Sequence, residues 1–154
     1  MPYTTHLEGL DEWDRETQQV AALLLDLRTF WPSVVPLFIG WMRAQFDTQG
    51  AFMGDPWAPL SPAYAAWKAI KYPGKPILQA EGDLRQAASS PRRETTPQTL
   101  TLTIADPKAG YHQDGTGRMP ARPLVFDISA PATVQSDIDK AAEDWLDDIL
   151  RRLR

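Results

Sequence analysis

Apolar residues return at helical intervals near the start of the chain. Leu10, Trp13, Val20, Leu23, Leu24 and Leu27 are spaced by three, four and seven, which predicts a helix over residues 8–30, with Asp11 or Asp14 near its start. Trp31-Pro32 breaks that run, because proline disfavours helix at the residue before it. A second helix is predicted from about Ser33 to Asp47, with Leu37, Phe38, Trp41, Ala44 and Gln45 on one face and Pro36 still within its first turn. Residues 48–60 are rich in glycine and proline and read as a loop. Ser61-Pro62 reads as an N-cap followed by proline at the first helical position, opening a helix to about Ile70. Ile77 to Ala88 reads as a short helix, or as a turn at Gly82 followed by one. Ser89 to Pro97 is polar, without a periodic signal.

From Thr99 to Ala105 the period changes to two. Threonines alternate with Leu100, Leu102 and Ile104, predicting a half-buried strand. Ala109 to Gln113 is a second strand or an irregular loop, and Leu124 to Ser129 a short strand. The last helix, Ala132 to Leu153, carries Val134, Ile138, Ala141, Ala142, Trp145, Ile149, Leu150 and Leu153 as an apolar stripe. Acidic residues near its start and Arg151, Arg152 and Arg154 at its end suit the helix dipole. These elements predict one α+β domain over residues 1–154: several helices packed on a small antiparallel sheet, with a long C-terminal amphipathic helix.

Composition narrows the function. The chain has 154 residues and a formal net charge of -4, which argues against a general nucleic-acid binder. Fourteen prolines predict rigid turns and irregular connections. The absence of cysteine removes disulfides, thiolate metal sites and thiol nucleophiles. Met1 to Asp14 lacks a basic start followed by an apolar run, so no signal peptide is expected. The apolar stretch Val34 to Met42 is far short of the roughly 20 residues that cross a bilayer. A soluble, cytoplasmic protein without a membrane partner is expected.

Common catalytic patterns fit poorly. His6 and His112 are the two histidines, far apart, so neither a metal nor another cofactor is expected. Ser61, His112 and Asp114 could be drawn as a triad, but no Gly-x-Ser-x-Gly elbow supports one. Gly115-Thr116-Gly117-Arg118 lacks the Gly-Lys-Ser/Thr ending of a phosphate loop. The carboxylates of the last helix, Asp137 to Asp148, read as a solvated face or one that meets a basic partner. No enzymatic activity is expected. Trp13, Trp41, Trp67 and Trp145 fall on helix faces and are expected in the core, whereas Trp57, in a loop, either plugs the core or anchors a partner.

The most distinctive segment is Tyr111-His112-Gln113-Asp114-Gly115-Thr116-Gly117-Arg118-Met119-Pro120-Ala121-Arg122-Pro123-Leu124. A flexible Gly-x-Gly turn precedes a stiff proline-bounded run. This segment resembles the His-Gln…Arg-Met-Pro-Ala-Arg-Pro stretch of the phage virion morphogenesis family. Two further pieces resemble the same family in the same order. Trp57 to Tyr64 is similar to its Trp-x-Pro-Leu-Ser motif, and Ile77 to Arg85 to its Ile-Leu…Gly-x-Leu-Arg motif, with Glu81 where the family has Ser or Thr. The resemblance covers about residues 33 to 154 and leaves residues 1–30 as an N-terminal helical segment, a candidate docking extension.

The resemblance implies a structural assembly protein of Mu-like phages. It would act in tail completion or head-tail joining as a subunit of a symmetric ring in the neck or tail, made in the host cytoplasm before assembly. Implied partners are other neck and tail proteins and further copies of itself, with non-specific proximity to DNA in a channel. A bacterial protein-protein interaction module outside any virion is the alternative. Candidate interface residues are Trp57, Tyr111, His112, Arg118, Met119 and Arg122, since arginine, methionine and aromatic side chains are favoured at interface cores.

Overall fold

The computed structural model describes residues 10–126 and 130–153, with the side chains of 10–13, 16 and 153 excepted. The fold is α+β: the described residues form six α-helices and a two-stranded antiparallel sheet, the last helix being long. Helix α1, Leu10–Leu25, ends earlier than the periodicity predicts. Asp26 stops it by capping a 3-10 turn over Leu27–Thr29, where its carboxylate accepts from the Arg28 N–H at 3.1 Å. The described side chains of α1 are exposed except Val20 and Leu23, which are half-buried. The expected core position of Trp13 lies outside the described side chains.

Helix α2, Trp31–Asp47, is the centre of the molecule. It begins at Trp31 rather than Ser33, which places Pro36 in the second turn, where its missing N–H removes one helical bond. Its buried face carries Val35, Trp41, Met42, Gln45 and Phe46. Met42, Phe46, Trp57, Leu84, Ala88 and Leu124 form the core cluster, flanked by Phe38, Ile77, Leu78, Ile104 and Val125. Burial of each large apolar side chain stabilises the fold by about 1.5–3 kcal/mol. Helix α3 spans Pro62–Lys71 and α4 spans Asp83–Ser89. Gly82 precedes α4 at φ 95°, so a turn followed by a helix is the form this segment takes. Ser61 sits at the N-cap position of α3, but its hydroxyl makes no capping bond.

The sheet departs from expectation in one strand. β1, Arg92–Thr95, falls in the polar run that gave no periodic signal, because all four of its residues are exposed. It pairs antiparallel with β2, Leu100–Thr103, with Arg92 opposite Thr103 and Thr95 opposite Leu100. β2 shows the expected alternation of half-buried and exposed positions. The Thr96 hydroxyl closes the turn by accepting from Thr99 N–H at 2.9 Å. The hairpin docks through Trp31, whose Nε1 donates to Thr96 O at 3.0 Å.

Residues 109–113 form neither a strand nor a loop. They belong to helix α5, Lys108–Asp114. Asp106 starts it: its carboxylate accepts from Lys108 N–H at 2.8 Å, with Pro107 behind it. Asp-Pro is a helix-start signal as well as a turn signal. Leu124 to Phe126 carry no strand, and the rest of that expected element lies outside the described residues. Helix α6, Ala132–Leu153, has the expected bounds. It packs on α2, where Trp41 Nε1 donates to the Asp137 carboxylate at 2.7 Å. Trp145 packs on Phe30 with ring centroids 5.4 Å apart and is half-buried.

Candidate functional site

The three distinctive segments of the sequence meet at one place. Trp57 is 5% exposed and packs edge-on against Phe46 at 5.4 Å. Its Nε1 donates to Pro123 O at 2.8 Å, and Gln45 Nε2 donates to the same oxygen at 2.9 Å. Arg122 is 4% exposed. Its Nε donates to Ala58 O at 2.8 Å and Nη2 to Pro59 O at 2.9 Å, while its backbone N–H reaches His112 O at 2.6 Å. Gln113 holds the next two residues: its Oε1 accepts from Leu124 and Val125 N–H at 2.8 and 3.1 Å. The second segment joins through Gln79, whose Nε2 donates to Phe46 O at 3.2 Å, and through Leu84 in the core.

Two glycines allow this closeness. Gly50 has φ 101°, and a Cβ there would sit 2.6 Å from the Trp57 ring. Gly115 has φ 74°, and a Cβ there would sit 2.6 Å from Ala121 N. The freedom of the expected Gly-x-Gly turn is used at Gly115; Gly117 is not at positive φ. Thr116 and Met119 exchange backbone bonds of 2.9 and 3.2 Å, turning the chain into the proline run.

Between these segments lies a cleft of about 390 Å³. Leu60, Leu78, Leu84 and Met119 provide its apolar surface. Leu78 adopts φ 60°, a conformation rare for a bulky residue. Lys68, Lys108, Arg118 and Arg122 bring four cations to the cleft, against the two carboxylates Glu81 and Asp83. Those carboxylates already have partners: Tyr72 Oη donates to Glu81 at 2.9 Å, and Lys108 lies 3.6 Å from Asp83. Lys68 is 5% exposed and donates to Pro76 O. Burial lowers its pKa, and burial likewise lowers that of Arg122, opposed by the nearby Tyr64. The His112 imidazole is lowered below 6.5 by burial first and then by the Arg122 charge, with Asp106 opposing. Its Nδ1 is buried without a hydrogen-bond partner.

An exposed aromatic ridge adjoins the cleft. Tyr64, on the cleft wall, stacks obliquely on Trp67 at 5.2 Å, and Trp67 meets Tyr72 edge-on at 5.9 Å. Lys71 Nζ lies 5.1 Å from the Trp67 ring centroid. Trp67, expected in the core, is 45% exposed, and Ile70 is 85% exposed. The reason is that α3 buries only Lys68, so its aromatic face points outward.

Of the six candidate interface residues, His112, Arg118, Met119 and Arg122 line the cleft together. Tyr111 is exposed on α5, away from the cleft lining, and Trp57 is a core residue. Arg122 is a buried tie between segments rather than a surface contact. Lys68 and Tyr64 are members that the sequence did not single out, although they lie one helical turn apart on α3. Ser61 and His112 both line the cleft, whereas Asp114 borders a different hollow with Gln45 and Met53. Neither Ser61 nor Asp114 makes a hydrogen bond to the His112 Nδ1. Among the described residues, no group of three or more His, Asp or Glu side chains could hold a metal ion. None of the described helices is long and apolar enough to cross a membrane. The chain matches no family model, no curated protein and no solved structure.

Proposed function

We propose that this chain is a non-enzymatic assembly protein of a tailed phage or a related particle, acting in tail completion or head-tail joining as one subunit of a ring. The observation that carries the reading is the convergence of its three family-like segments. Trp57 and the two carbonyls after it, Gln79 and Leu84, and the run from His112 to Pro123 bond to one another or share one core. Residues scattered along the sequence thus behave as one structural unit, and the motif positions are chiefly what shapes the loop bearing Arg118 and Met119. Beside that unit lie features of a protein contact surface: an apolar cleft lined in part by the exposed cations Lys108 and Arg118, and a ridge of aromatics led by exposed Tyr64 and Trp67. The partners are neighbouring neck and tail proteins and further copies of the chain, and the place of action is the virion.

Deleting the gene and imaging lysates by negative-stain electron microscopy tests this. Filled heads separate from unjoined or ragged tails are expected. Joined particles at normal titre would overturn the reading and favour a cellular interaction module.

A further inference from the structure

We propose that the cleft binds the acidic face of helix α6 from a second copy of this chain, head to tail. This rests on the ring reading and names the contact that would build the ring. Helix α6 carries six carboxylates. Asp137 is bonded by Trp41, Asp144 by Lys140 at 3.2 Å and Asp148 by Arg152 at 2.5 Å. Asp139, Glu143 and Asp147 are exposed and have no cationic side-chain partner among the described residues; Asp139 accepts only from the neutral Gln135. They stand at i, i+4 and i+8, so they form one row along the helix. Like charges at this spacing disfavour a helix by about 0.2–0.5 kcal/mol per pair, so a cationic surface laid on the row would relieve it. Leu150 continues the row and is exposed.

The cleft is complementary in both respects. Arg118 is exposed and has no carboxylate partner among the described residues, Lys108 is exposed at 3.6 Å from Asp83, and Leu60, Leu78 and Met119 offer apolar surface for Leu150. The two patches cannot satisfy one another within one chain: α6 packs on α2, and none of its residues lines the cleft. Two different, complementary patches on one subunit give a heterologous contact, which closes into a ring or runs on as a filament.

A charge swap tests the contact on the full chain. One variant carries Lys108→Glu with Arg118→Glu; the other carries Glu143→Lys with Asp147→Lys. All four positions are exposed, and circular dichroism checks that both variants fold. By sedimentation velocity, the wild type is expected to associate at low salt and to weaken as salt rises. Each variant alone is expected to lose association more than about tenfold. An equimolar mixture is expected to recover it, because the reversed cleft then meets the reversed helix. A monomeric wild type, variants that associate normally, or a mixture that stays monomeric would each overturn the proposal. The deletion phenotype is read independently: unjoined particles together with a monomeric mixture would leave tail completion standing and remove this contact alone.

Discussion

Arg122 shows how one residue can be distinctive in the sequence for reasons of folding. A buried guanidinium is costly unless its donors are used, and here two of them hold the carbonyls of Ala58 and Pro59. Truncation leaves both carbonyls without that donor. Arg122→Ala should therefore lower stability by about 2–3 kcal/mol in urea titrations, whereas Arg118→Ala, at an exposed position, should stay within about 0.5 kcal/mol. Equal small losses would show that the tie is not formed. His112 adds a pH dependence. Its folded pKa lies below 6.5, so between the two values the unfolded chain binds more protons than the folded one. Stability contributed by the neutral imidazole is complete above 6.5 and is lost as pH falls toward the folded pKa. Thermal melts should drop on acidification through that window, and His112→Gln should flatten the drop.

At the scale of elements, α2 and α6 are coupled by a specific bond as well as by apolar packing. Trp41→Phe keeps most of the ring but removes the donor to Asp137. It should cost about 1–2 kcal/mol, and Asp137→Asn, which keeps an acceptor, should cost less. The elements that the sequence made legible are those with strong periodicity or paired cap signals. Helix α6 was readable from its stripe, α3 from Ser61-Pro62 and β2 from its threonine alternation. Strand β1 was not readable, because a strand exposed on both faces has no alternation to display. Helix α5 was hidden because seven residues hold too few turns for a stripe, and Asp106-Pro107 serves turns and helix starts alike. The cleft was legible in part. His112, Arg118, Met119 and Arg122 stand close together in one distinctive segment, but the contributions of Lys68 and Leu78 depend on how α3 and the turn before α4 fold back, which no local pattern encodes.

For the whole molecule, the distribution of exposed apolar side chains separates incidental exposure from a surface held open. Leu24 and Leu25 are exposed as a pair at the end of α1, which is ordinary for a monomer. Trp67 is in ring contact with both Tyr64 and Tyr72 beside the cleft. The observed orientation of α3 leaves Trp67 45% exposed while it desolvates the Lys68 ammonium. Contiguous exposed aromatic surface is a common feature of contact surfaces. Trp67→Ser combined with Ile70→Ser should therefore change the unfolding free energy by less than about 1 kcal/mol, since neither side chain is buried. The same double variant should fail to restore joined particles when supplied to the deletion strain. Full rescue of titre with unchanged stability would show that the ridge is not covered during assembly, and the contact surface would then be confined to the cleft.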